Sequence, residues 1–217
     1  LFAVGLAPKG SADPFALRRA AIGIVQNLLA SGRTFSLRDG LAKALSGLPV
    51  PAGEDVLRAA HHFILERERQ HFLDEGYRHD VVDAVVDEAG DDPARALRHL
   101  VQLREAVAAA DWSATLAAYA RCARIVRSQP ADSASPGEDS DPVSRDLAQA
   151  VAALPAPGDV RDLVANLRAL APLIDRFFDK VLVMADDQAL RAARLALLRR
   201  IVAQADGIAN LSRLEGF

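Results

Sequence analysis

The stretch FFDKVLVMADDQALRAARLALLRRI, residues 177–201, sets two adjacent acids, Asp186 and Asp187, ahead of a mostly aliphatic run that also carries Arg191 and Arg194. At about 100° per residue, a helix over 187–206 places Leu190, Leu198, Ile201, Val202 and Ala205 on one face. Arg191 and Arg194 project from the middle of that face, and Arg199 and Arg200 fall outside it. Asp186 and Asp187 then stand at the helix start, where a carboxylate caps free amides and suits the positive end of the dipole. A guanidinium on a core-facing stripe needs a carboxylate, a row of carbonyls, or a ligand phosphate or base. A structural charge network of Asp186, Asp187, Arg191 and Arg194, joining helices, is the favoured reading.

Immediately upstream, Val160, Leu163, Leu167, Leu170, Ile174 and Phe177 follow the spacing of one buried helical stripe over 160–178. The same period recurs along most of the chain. In SADPFALRRAAIGIVQNLLASG, residues 11–32, Asp13 reads as N-cap, Pro14 as the first helical residue and Gly32 as the stop, and the helix is expected to be largely buried. Further helices are predicted at 36–46, 54–75 (ended by Gly76), 79–89, 93–110, 113–128 and 143–153. PADSASPGEDSDP, residues 130–142, is acidic and rich in Pro and Ser, and reads as a flexible loop. The fold class is therefore all-α, a helical bundle, in keeping with 51% hydrophobic and only 5% aromatic residues.

The 217 residues carry a net charge of −3, which gives no global attraction for nucleic acid; any RNA contact must come from a local patch. Lysine occurs only at 9, 43 and 180, so the basic side chains are nearly all arginine. The single Cys122 allows no intramolecular disulfide and no multi-cysteine zinc site, fits a cytoplasmic setting, and sits in an apolar helical run as a core residue. No stretch is long and apolar enough to predict a membrane span, and no leader pattern is present. LFAVGLAPKG, apolar and without an initiating methionine, reads as a start inside something longer.

The motifs of phosphate-cradling loops, zinc proteases and nucleophile elbows are missing, so no catalytic residue is assigned. GLAPKGS reads as a structural turn, and His79-Asp80 as a helix start. His61 and His62 are adjacent on one helix and lack a histidine partner at helical spacing, so no metal site is assigned. Along 54–75, Val56, Leu57, Ala60, Phe63 and Ile64 share a face that Arg67, Glu68 and His71 occupy further on. This helix is expected to leave a core and enter a polar groove. Arg67, Arg69, Phe72 and Tyr77 combine charge with stacking surface, the ingredients for reading unstacked RNA bases.

KGSADPFALRRAAIGIVQNLL (9–29), FILERERQHFLDEGYRHDVVDAV (63–85), the stretch 177–201 and the ending LSRLE (211–215) resemble, in order, the C-terminal portion of the bacterial glycyl-tRNA synthetase β subunit. The resemblance implies an anticodon-binding domain of the class shared with arginyl-tRNA synthetase, named for a D-A-L-R motif. Here that motif reads Asp187-Gln188-Ala189-Leu190-Arg191, with one residue inserted. Family-like positions are Arg67, Arg69, Gly76 and Tyr77 in the first motif, and Asp179, Asp186, Asp187, Leu190, Arg191 and Arg194 in the second. His71 stands where the family often has an aromatic.

Residues 1–48 would be trailing helices of an upstream HD-like domain, and 54–217 the anticodon-binding domain. The resemblance further implies tRNA-Gly and the α subunit as partners in an α2β2 ligase. ATP and glycine would bind the α subunit, leaving no cofactor and no catalysis to this region. The alternative is a helical assembly module that contacts the α subunit and binds little RNA itself.

Overall fold

The structure, a computed structural model, describes residues 1–8, 13, 15–129, 137 and 139–217. Among these are nine α-helices and no strand: α1 (Leu17–Ser31), α2 (Leu37–Ser46), α3 (Glu54–Asp74), α4 (His79–Ala89), α5 (Pro93–Val107), α6 (Trp112–Ser128), α7 (Pro142–Ala153), α8 (Val160–Lys180) and α9 (Gln188–Val202). Short 3-10 turns lie at Phe2–Val4, Ala203–Ala205 and Leu211–Arg213. The helical boundaries follow local chemistry. Asp141, Asp159 and Asp187 each accept hydrogen bonds from the first free amides of α7, α8 and α9. Gly32 (φ 63°) and Gly76 (φ 87°) close α1 and α3 in the left-handed region, where a Cβ is strained.

Two details of α1 differ from the sequence reading. The helix begins at Leu17, with Ala16 as N-cap at φ 54°, and Asp13 reaches in from further upstream to accept from the amides of Leu17 and Arg18 at 2.8 and 2.9 Å. Nor is α1 largely buried: only Ala21 and Val25 are, while Ile24 is 40% exposed and Phe15 just ahead of it 53%. The cause is geometric, because α1 packs on α3 along one stripe and its other apolar positions lack a cover among the described residues. The assignment of Pro14, part of the GLAPKGS turn and most of the 130–142 loop fall outside the described residues.

The chain divides into two compact units, 1–101 and 102–217, a division that falls within α5. Within the first unit, α3 packs on α1, α2 and α4. In the first unit, Ala21, Val25, Leu37 and Ile64 form a core to which Leu28, Leu41 and Phe63 add. Asp91, after α4, ties the start of α2 to α3: its backbone oxygen accepts from the Leu37 amide, and its carboxylate meets the Arg38 amide and His61 at 2.8 and 2.9 Å. In the second unit, α6, α7, α8 and α9 pack together, and all six residues of the predicted α8 stripe are buried.

Candidate nucleic-acid interface

The residues expected to read RNA lie on or just after α3, and their surroundings are not those of an open groove. Phe72 is 1% exposed and takes Tyr77 edge-on at 6.3 Å, so its ring belongs to the core and offers no face to a base. Arg69 donates to Asp83 at 2.6 Å and to Glu66 and Asp87 at 3.0 Å each. One guanidinium among three carboxylates leaves local negative charge, which repels a phosphate. Burial would lower the pKa of Arg69, but Asp83, Glu66 and Asp87 together raise it. Arg67 is half-buried with its guanidinium 5.6 Å from the Phe63 ring centre, and its Nε is buried without a hydrogen-bond partner. Tyr77 is partly exposed.

The reason is visible one residue along. Glu68 lies 0% exposed, and neither carboxylate oxygen has a hydrogen-bond partner. The helix therefore does not leave the core after Ile64; it carries an acid into it. Burial pushes the Glu68 pKa well up, Arg69 partly opposes this, and Asp92 and Asp91 reinforce it. Such burial favours the neutral acid. Asp92, itself buried, likewise has one oxygen without a partner.

The other predicted set lies at the start of α9, and its members pair separately. Asp187 caps the amides of Ala189 and Leu190 at 2.8 and 3.0 Å. Asp186 is exposed and makes no hydrogen bond among the described residues. Arg191 donates to the Ala185 carbonyl at 3.1 Å, so it meets backbone and not a carboxylate. Arg194, 8% exposed, donates to Asp139 at 2.9 Å and to the Leu182 carbonyl at 2.7 Å. Burial raises the Asp139 pKa, but hydrogen bonding to Arg194, Ser144 and the Asp141 amide, together with the Arg194 charge, outweighs it and the net shift is downward. The partner acid comes from the polar segment before α7, which periodicity could not select.

A further arrangement on α6 escaped the sequence reading. Arg121, Arg124 and Arg127 recur at three-residue spacing in a helix without a single acid, a signal that was legible in residues 112–128. Arg121 pairs with Asp175 at 3.0 Å and lies 4.5 Å from the Phe178 ring centre. Arg124 and Arg127 are exposed and lie 5.5 and 5.7 Å from the centre of one ring, that of Phe217. Phe217 also leans on the buried Tyr119 at 6.3 Å. Among the described residues, neither Arg124 nor Arg127 pairs with a carboxylate. Exposed arginines occur elsewhere, but these two converge on an aromatic face.

Among the described residues, no three His, Cys, Asp or Glu side chains are placed to hold a metal ion, and no helix is long and apolar enough to cross a membrane. Cys122 is buried and its thiol pKa is pushed up to about 12, first by burial, so it is no nucleophile.

Comparison with known proteins matches residues 1–87 to the family described as glycyl-tRNA synthetase beta subunit, and residues 115–205 to the DALR anticodon binding domain. The chain is similar to a protein of Rhodospirillum centenum named glycine–tRNA ligase beta subunit, at 37% identity over 99% of this chain and 32% of that protein. Proteins of the same name from Myxococcus xanthus and Anaeromyxobacter dehalogenans share 34% and 35% identity over 99% of this chain, covering 33% and 32% of their own lengths. The chain thus spans about a third of the length of these curated relatives.

Proposed function

This chain belongs to the glycyl-tRNA synthetase β-subunit family, and from that premise we propose that it holds the anticodon arm of tRNA-Gly within the ligase. The α subunit would bind ATP and glycine and carry out the ATP-dependent glycylation. The observation that carries the reading is the match of the DALR domain to residues 115–205, which cover nearly all of α6 through α9, helices that pack together within one compact unit. An arginine-rich, acid-free α6 on that unit supplies local positive charge on a chain of net −3. Recognition would use arginine against phosphate and unstacked bases.

The test is the affinity of the full ligase for tRNA-Gly against a transcript with altered second and third anticodon bases. The altered transcript should bind at least tenfold more weakly; equal affinity would remove anticodon recognition from this region. A second reading, assembly on the α subunit, is favoured by the exposed apolar side chains Phe15, Ile24, Phe35 and Leu48. Loss of α-subunit co-purification on making Ile24 and Phe35 polar, with tRNA affinity retained, would favour it.

A further inference from the structure

We propose that Arg124 and Arg127, held over the Phe217 ring, contact unpaired bases of the RNA and their phosphates. The inference rests on the tRNA-binding reading and names the residues that carry it.

Three features separate this patch from the other arginines. First, its charge is uncompensated, since neither guanidinium pairs with a carboxylate among the described residues. Arg69 and Arg194 would have to release acids already bound at 2.6–3.0 Å and at 2.9 Å. Second, both side chains are pre-positioned. Contact with the Phe217 ring, which rests in turn on buried Tyr119, restricts two long side chains that would otherwise lose rotamer freedom on binding. Third, the i, i+3 spacing sets their Cβ atoms about 5–6 Å apart. One guanidinium can then take a phosphate in two-pronged fashion while the other lies flat against an adjacent base. A flat guanidinium beside a partly open aromatic ring suits a splayed, single-stranded loop, because an A-form duplex keeps its bases stacked and its deep groove closed to side chains.

The contending explanation is that the two arginines only clamp residue 217 onto α6. Two double variants of the full ligase separate the possibilities: R124Q/R127Q, and R124K/R127K, which keeps charge but loses the planar fork. Binding of a tRNA-Gly transcript is followed across a salt series, with melting temperature and the KM values for tRNA and glycine measured in parallel. The Gln pair should weaken binding roughly ten- to hundredfold and flatten the log-affinity against log-salt slope by about 0.7, the loss of one phosphate-facing charge. KM for tRNA should rise while KM for glycine and the melting temperature hold. The Lys pair should keep the slope and lose roughly three- to tenfold in affinity, the share due to planar stacking and two-pronged contact. Wild-type affinity and slope in the Gln pair would overturn the proposal, as would a binding loss that appears only with a matching fall in melting temperature. A wild-type ligase without affinity for the transcript would instead remove the tRNA reading itself, and this inference with it.

Discussion

Helices α3 and α9 each turn a charged side chain into a buried stripe, and they meet the same electrostatic problem in opposite ways. On α9, Arg194 keeps its charge because Asp139 and the Leu182 carbonyl converge on it. On α3, Glu68 reaches the core with no hydrogen-bond partner among the described residues, and burial pushes its pKa well up. One residue along, on a less buried flank, Arg69 collects three acids. Both charges are taken out of water, Glu68 more completely than Arg194, and the fold delivers a counter-charge only to Arg194. Where it does, the charge becomes a fastener; where it does not, burial favours the uncharged form.

That contrast can be broken by experiment, and Arg194 carries the largest expected effect. Arg194→Ala leaves the Asp139 carboxylate without its guanidinium partner and the Leu182 carbonyl short of a donor, and should destabilise the second unit by about 3–5 kcal/mol in urea unfolding. A loss below about 1 kcal/mol would mean the pair is a surface contact. Arg69→Ala leaves Glu66, Asp83 and Asp87 facing one another, partly exposed, and should cost about 1–2 kcal/mol, recovered in part by added salt. Once folding is accounted for, tRNA affinity should be unchanged; a salt-sensitive loss of affinity in a fully folded variant would restore Arg69 as an RNA contact.

Glu68 and Asp139 sharpen the contrast further, because their pH dependences have opposite sign. The Glu68 pKa is raised on folding, so its contribution is complete below the ordinary glutamate value of about 4.3 and is lost as pH rises towards the raised folded value. The Asp139 pKa is lowered, so its contribution is present above about 3.9 and is lost as pH falls through the folded value. Glu68→Gln should therefore flatten the high-pH decline in unfolding free energy, and Asp139→Asn the low-pH decline. If Glu68→Gln leaves the high-pH slope intact, folding does not raise the Glu68 pKa. The smallest effect concerns Cys122. Its thiol should ignore a disulfide reagent in the folded protein and react only as the second unit opens, so labelling and loss of helical signal should share one denaturant midpoint.

The architecture was largely legible. The α8 stripe at 160, 163, 167, 170, 174 and 177 was readable because a 3.6-residue period is a local property, and all six residues are buried. The Asp187 cap of α9 was equally local. Burial of α1 was not, since an apolar helix of that composition is buried only if other elements cover all its faces, and α1 has α3 along one stripe. The candidate interface was least legible. Arg69 and Arg124 are both helical arginines with aromatic neighbours, and only the distances to Asp83, Asp87 and Phe217 tell them apart.

By itself the sequence determined the helices, their caps and the family, all of which depend on residue type and short-range spacing. Tertiary structure alone decided which charges are spent. A guanidinium is available to RNA only when no carboxylate lies within reach. Asp139 lies 55 residues from Arg194, before α7, and Asp83 and Asp87 lie on α4 while Arg69 lies on α3, so each pair joins separate elements.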